Sequence, residues 1–142
     1  MRTLALDVGT KTIGVAVSDE LGITANGVTT ITRKGLKSDL EELKNIVDEY
    51  GPGEIVVGLP YQMDGSLTQR GERIQFLAEK IKAAFSLPVE YWDESYSTVN
   101  AEKVLISADV SRKKRKKVID KMAAVYILQE YLESKRPINQ GN

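Results

Sequence analysis

Two apolar runs on either side of a polar turn occur in the sequence Thr3-Leu-Ala-Leu-Asp-Val-Gly-Thr-Lys-Thr-Ile-Gly-Val-Ala-Val17. Their alternation predicts two β-strands over residues 2–8 and 12–18, joined as a hairpin. Asp7 shares a strand face with Ala5, whereas Leu4 and Leu6 point the other way. The sequence therefore predicts a carboxylate that emerges at the end of the first strand, beside the turn.

Helical and strand periodicities alternate along the rest of the chain. The β-branched residues in 23–32 predict a third antiparallel strand, and Ser38 and Glu41 form a capping box for a helix that ends at Gly51. We further predict a buried strand at Ile55–Leu59, a helix over 67–85, a strand at Pro88–Trp92, a short helix from Ser97 or Thr98 to about Ile106, and a long helix from Lys117 to Ser134. This order indicates an α/β fold with a central mixed sheet of about five strands and helices on both faces.

Composition restricts the chemistry of the chain. Cysteine and histidine are both absent, which excludes disulfides, thiolate zinc sites and histidine-based catalysis. The 20 basic and 20 acidic side chains cancel, so net charge predicts no polyanionic partner. The first apolar run is too short for a signal peptide or a membrane span, and we expect a cytoplasmic protein without membrane contact. Residues 1–136 are predicted to form a single domain and residues 137–142 a flexible tail.

Three carboxylates stand where they can act together. Asp7 and Glu94 each follow a strand, and Asp120 shares a helix stripe with Ala124, Ile127 and Tyr131. Each has a structural alternative: Asp7 as a turn residue, Glu94 or its neighbour Asp93 as a cap, and Asp120 as an acid in the first turn of its helix. As a group they predict an oxygen-ligated site for one or two Mg²⁺ or Mn²⁺ ions, suited to phosphodiester hydrolysis.

Six consecutive cations occupy Arg112-Lys-Lys-Arg-Lys-Lys117. Mutual repulsion predicts a segment between helices, which is either a solvated loop or a contact to the nucleic-acid backbone. The predicted nucleic-acid-binding residues are Arg112, Lys113, Lys114, Arg115, Lys116 and Lys117, with Lys11 and Arg70 as additional phosphate contacts.

Several motifs together resemble those of the YqgF family, also called RuvX-type Holliday junction resolvases or pre-16S ribosomal RNA nucleases. The resemblance spans nearly the whole chain and includes Leu6-Asp-Val-Gly-Thr-Lys-Thr-Ile-Gly-Val-Ala-Val-Ser-Asp19, Val57-Gly-Leu-Pro60, Asp64-Gly65, Asp93-Glu94, Ser97-Thr98, Ile119-Asp-Lys-Met-Ala-Ala124 and Ile127-Leu-Gln-Glu-Tyr-Leu132. It implies a ribonuclease H-like fold and the acidic site Asp7, Glu94 and Asp120. In one departure, Ser95 stands where the family usually has an arginine that binds substrate phosphate.

The resemblance implies a metal-dependent nuclease of bacterial ribosome maturation, which processes the 5′ end of pre-16S rRNA and meets pre-ribosomal particles. A Holliday junction resolvase acting on branched DNA is the alternative substrate class, for which a homodimer would suit better than a monomer. Two further readings stay open: a non-catalytic RNA-binding assembly factor, and an ATPase of actin or sugar-kinase type. A second copy of the hairpin is expected of such ATPases, and none occurs in the chain.

Overall fold

The computed structural model describes residues 1–94 and 112–136, and for residues 112–120 it describes the backbone. Five strands form one mixed sheet in the order β3-β2-β1-β4-β5. Strands β1, β2 and β3 pair antiparallel, whereas β4 pairs parallel with both β1 and β5. The strand bounds are Thr3–Val8 (β1), Thr12–Ser18 (β2), Ala25–Thr32 (β3), Glu54–Leu59 (β4) and Val89–Asp93 (β5). The predicted five-stranded α/β sheet is confirmed.

Three helices are described: α1 (Leu36–Tyr50), α2 (Gln69–Phe85) and α3 (Arg112–Lys135). The predicted short helix after Ser97 and the predicted tail at 137–142 lie outside the described residues. No helix in the described part of the chain combines the length and apolar character needed to cross a bilayer.

Helix α1 begins earlier than predicted, and the Ser38 capping box is wrong. The N-cap is Gly35, whose φ of 126° suits only glycine, and no side chain caps this end. Ser38 lies inside the helix, and the buried carboxylate of Asp39 instead accepts a hydrogen bond from the Lys34 backbone N–H at 3.1 Å. A hydrogen bond from Lys34, just before the helix, to Asp39 in its first turn thus takes the place of the predicted Ser38 cap.

The start of α3 also differs from the prediction. The cationic run 112–117 was expected between helices, but its backbone is helical and forms the first turns of α3. Lysine and arginine are good helix formers, and the intrinsic propensity of their backbone outweighs the charge pattern from which we inferred a loop.

Two hydrophobic cores lie on opposite faces of the sheet. One contains Leu4 and Leu6 and packs against α1 and α2, while the other contains Ala5 and packs against α3. The second core is rich in small residues, namely Ala5, Ala16, Ala123 and Ala124, which are all buried. Because alanines allow close approach, α3 lies tightly on β1 and β2, on the face to which Asp7 also points.

Candidate active site at the carboxyl edge of the sheet

Asp7 lies near the end of β1, opposite Gly14 of β2, and is only 2 % exposed. Its side chain is on the α3 face, because Ala5 belongs to the core under that helix and residues two apart share a face. Burying an ionised carboxylate is costly unless cations or hydrogen-bond donors compensate the charge, so a buried acid at a strand end is a candidate functional group.

Glu94 is the residue that directly follows β5, and it is 3 % exposed. Its backbone N–H donates to the Leu59 carbonyl oxygen at 3.1 Å, which ties it to the end of β4. Because β1, β4 and β5 run parallel, their carboxyl ends lie at the same edge of the sheet. The structure thus brings Asp7 and Glu94 to one edge, as the sequence predicted.

Gly58 makes room for the Glu94 carboxylate. A Cβ on Gly58 would lie 2.8 Å from Oε2 of Glu94 and 2.7 Å from Cδ1 of Ile127, both too close for a real side chain. Gly58 is in β4, where the pairing of Leu6 with Val57 puts it beside Asp7. The carboxylate of Glu94 therefore lies over the strand that separates β5 from β1, on the side toward Asp7.

Sequence reasoning did not assign a role to Gly58, although it quoted the motif that contains it. The available signal was a glycine inside an otherwise apolar strand, a position that often marks a close approach of other atoms. Here the approaching atoms belong to Glu94 and Ile127.

Arg70 brings a positive charge to this edge. From the first turn of α2 its Nη1 lies 3.6 Å from Oε1 of Glu94, and its Nη2 donates to the Val8 carbonyl oxygen at 3.3 Å. The side chain is 41 % exposed, so the guanidinium borders the acids and also faces solvent. This position is compatible with the predicted phosphate contact, because an anion arriving from solvent would meet Arg70 beside Glu94.

Helix α3 runs antiparallel to β4. Tyr131 donates a hydrogen bond of 2.8 Å to Glu54 at the amino end of β4, whereas Ile127 contacts Gly58 near the carboxyl end. Because a helix rises about 1.5 Å per residue, the backbone at Asp120 lies about 10 Å beyond Ile127, toward the carboxyl edge. The predicted stripe Ala124, Ile127 and Tyr131 is buried, while the side chain of Asp120 is outside the described residues.

The donor set agrees with a hard divalent ion. The described side chains include no group of three or more acidic residues that could hold a metal. Of the three predicted ligands, the side chains of Asp7 and Glu94 are described, and both are buried. Both offer carboxylate oxygens, which suit Mg²⁺ and Mn²⁺, and neither histidine nor cysteine competes. A pair of buried acids at this edge fits such an ion as part of a ligand set.

The other predicted nucleic-acid contacts are Lys11 and the cationic run 112–117, and they belong to two different parts of the fold. Lys11 is exposed in the turn between β1 and β2, just past the end of β1. The cations of 112–117 occupy the first turns of α3, upstream of Asp120, and their side chains lie outside the described residues.

Comparison with known proteins identifies the family. The model of the RuvX family, described as Holliday junction resolvase, matches residues 1–134. The chain belongs to the RuvX family. A protein of Geobacillus kaustophilus (strain HTA426) named "Putative pre-16S rRNA nuclease" is 59 % identical over 138 residues, which cover 96 % of this chain and 100 % of the relative. Proteins with the same name from Clostridioides difficile (strain 630) and Clostridium novyi (strain NT) are 57 % and 51 % identical, cover 94 % of this chain, and are themselves covered to 95 % and 99 %.

Solved structures share the fold at low sequence identity. The T. thermophilus RuvC in complex with a Holliday junction substrate superposes with a TM-score of 0.60 at 9 % identity, covering 95 % of this chain and 96 % of that one. The fowlpox virus Holliday junction resolvase gives a TM-score of 0.53 at 15 % identity, covering 94 % of this chain and 99 % of the viral one. The predicted ribonuclease H-like fold is thereby confirmed.

Proposed function

We propose that this RuvX-family protein is a nuclease that hydrolyses phosphodiester bonds of structured nucleic acid at the carboxyl edge of its sheet. The observation that carries the proposal is the placement of two buried carboxylates, Asp7 and Glu94, on either side of Gly58. Arg70 adds a positive charge that borders the pair and remains accessible to solvent. Acids flanked by an accessible arginine are suited to a phosphate that approaches with a divalent ion.

The metal would be Mg²⁺ or Mn²⁺, held by Asp7 and Glu94 together with Asp120. When bound, such an ion lowers the pKa of an attacking water and neutralises charge on the phosphate. Asp7 would hold the ion from the end of β1 and Glu94 from the end of β5, and the helix carrying Asp120 is anchored to the sheet through Ile127 and Tyr131. Arg70, whose Nη1 lies 3.6 Å from Glu94, would supply hydrogen-bond donors to a phosphate oxygen.

The positive charge of the first turns of α3 favours a polyanionic substrate. Six cations at a helix N-terminus are unfavourable, because the helix dipole already places positive charge there and the cations repel one another. A phosphate backbone would relieve both penalties by releasing counterions from the nucleic acid and neutralising Arg112–Lys117. Lys11 and Arg70 would extend this contact along the edge.

For the substrate, we propose the 5′ end of pre-16S rRNA within cytoplasmic pre-ribosomal particles. The support is the name shared by relatives that match this chain at 51–59 % identity over almost their entire length. Branched DNA is the second candidate, favoured by the description of the family model as Holliday junction resolvase.

Cleavage assays with Mn²⁺ on both substrates test the proposal. We expect Asp7→Asn, Glu94→Gln and Asp120→Asn each to abolish cleavage while leaving nucleic-acid binding intact. Asp93→Asn is the matched control, because it removes the neighbouring carboxylate from the opposite face of β5 and should retain activity. If the wild-type protein binds RNA but cleaves neither substrate at any Mn²⁺ concentration, the chain is an assembly factor and the nuclease proposal is wrong.

A further inference from the structure

A cavity of about 500 Å³ lies between the start of α1 and the first turns of α2. It is on the opposite face of the sheet from α3, since Val8, Ile74 and Leu77 in its wall belong to the core under α1 and α2. We call it the α1–α2 pocket and define it by Arg33, Leu36, Arg70, Arg73, Ile74 and Phe76. Its volume is that of a site for one small ligand.

The charged lining favours an anion. Arg33, Arg70 and Arg73 line the pocket together with a single acid, Asp39. Arg33 is paired with Asp39 at 3.1 Å and donates to the Gly9 carbonyl oxygen at 2.8 Å, so it serves mainly to shape the wall. Arg73 is exposed and forms no ion pair with any described residue. Arg73, together with Arg70, whose side chain is 41 % exposed although it also contacts Glu94 and Val8, would meet an incoming phosphate.

The apolar lining favours a flat ring next to that anion. Phe76 is 61 % exposed and Leu36 is 40 % exposed, while Ile74, which also lines the pocket, is buried. The Nζ of Lys80 lies 5.1 Å from the centroid of the Phe76 ring, so the ring is already polarised by a cation. A ligand with both a phosphate and a planar base would use both halves of the lining, whereas inorganic phosphate would use only one.

The α1–α2 pocket is connected to the acidic edge through β1. Asp7 and Val8 are consecutive, and their side chains lie on opposite faces of the strand, toward α3 and toward the pocket. Arg70 contacts both the pocket and the acidic edge. It lines the pocket, donates a hydrogen bond to the Val8 carbonyl oxygen and lies 3.6 Å from Glu94. A chain of nucleotides that enters the pocket would therefore pass the acids within a short distance.

We propose that the α1–α2 pocket binds one unstacked nucleotide of a single-stranded segment that adjoins the cleaved bond. Its base lies against Phe76 and Leu36, and its phosphate is held by Arg70 and Arg73. The inference rests on the proposed nuclease function and adds a preference to it: substrates with a single-stranded segment bind better than continuous duplex, since a paired base cannot enter.

Fluorescence anisotropy of the full chain without divalent metal tests this, using a labelled twelve-nucleotide RNA strand, the same sequence as a blunt duplex, and the free mononucleotide as competitor. For Phe76→Ala we expect single-strand affinity to fall about fivefold or more, with duplex affinity unchanged. For Arg73→Gln we expect weaker binding and a salt-dependence slope that is smaller by about 0.7. The matched control is Lys82→Gln, an exposed cation at the far end of α2, which should change single-strand affinity by less than twofold.

The outcomes separate the pocket from the proposed function. Equal losses in Lys82→Gln and Arg73→Gln, or a Phe76→Ala protein whose preference for single strands equals that of the wild type, would overturn the pocket even if the protein cleaves RNA. If the mononucleotide alone binds as tightly as the strand, the pocket belongs to a free ligand and the inference is also wrong. Loss of single-strand preference in Phe76→Ala, in a protein that lacks any cleavage activity, would retain the pocket and reject the nuclease.

Discussion

The carboxylate of Glu94 lies directly over Gly58, with Oε2 only 2.8 Å from the position that a Cβ on Gly58 would take. Gly58 is in β4 and Glu94 directly follows β5, its parallel neighbour, and the carboxylate of Glu94 occupies the space that a side chain at position 58 would need. The relationship makes the geometry of the proposed site sensitive to a single methyl group.

Gly58→Ala is therefore expected to displace Glu94 and Ile127 and to lower cleavage on the order of a hundredfold, the effect that small misplacements have in active sites. Overpacking should also lower the free energy of unfolding by about 1–3 kcal/mol. Cleavage rates and urea unfolding measure the two effects. Gly27→Ala is the control, because its Cβ would meet only the flexible Lys121 side chain, and equal loss of activity in both variants would contradict the prediction.

Arg70→Gln separates a phosphate contact from a metal ligand. Removing the cation 3.6 Å from Glu94 should leave Mn²⁺ binding at least as tight, because a positive charge opposes the ion. The same variant should bind nucleic acid more weakly and lose about one unit of the salt-dependence slope. Mn²⁺ titration and salt-dependent affinity are the measurements. Weaker Mn²⁺ binding would instead show that Arg70 mainly holds Glu94 in its ligand position.

Asp39→Asn probes the contact that holds the turn after β1. The buried carboxylate of Asp39 pairs with Arg33, which in turn bonds the Gly9 carbonyl oxygen. Breaking a buried pair from one side costs about 3 kcal/mol, and we expect a loss of this size in urea unfolding. Asp48→Asn is the matched control: it removes an exposed pair with Lys44 at i, i+4 spacing and should cost less than about 0.5 kcal/mol. Similar losses in the two variants would contradict the assignment.

Tyr131→Phe should change the alkaline stability of the chain. Burial, followed by the hydrogen bond to Glu54, raises the pKa of Tyr131 above its usual value of 10.0. A raised pKa means that the folded chain holds the phenol proton more tightly than the unfolded chain. The protonated phenol therefore stabilises the folded chain below pH 10, and this contribution is lost as the pH rises above 10. Thermal or urea unfolding between pH 8 and 11 should show a shallower decline for Tyr131→Phe than for the wild type. An unchanged decline would mean that Tyr131 does not contribute to it.

Several features follow from local patterns and could be predicted well. Strand β2 was predicted at 12–18 and is Thr12–Ser18, because Ile13, Val15 and Val17 alternate with small residues next to a glycine-containing turn. The orientation of Asp7 followed from the same alternation. By contrast, the Ser38 cap and the start of α3 were predicted wrongly, because Asp39 bonds the backbone before the helix and the helix propensity of the cationic run outweighs its charge repulsion.

The amino-acid sequence by itself determined the α/β class, the positions of the strands, the exclusion of histidine and cysteine chemistry, and the three acids that deserve testing. These follow from periodicity and side-chain chemistry, which act over a few neighbouring residues. Only the tertiary structure decided that Glu94 lies over Gly58, that Arg70 reaches both Glu94 and Val8, and that an arginine-lined pocket opens behind Asp7. Those relationships join residues that are 24 to 62 positions apart, and they exist because parallel strand pairing and helix packing bring distant segments to the same edge of one sheet.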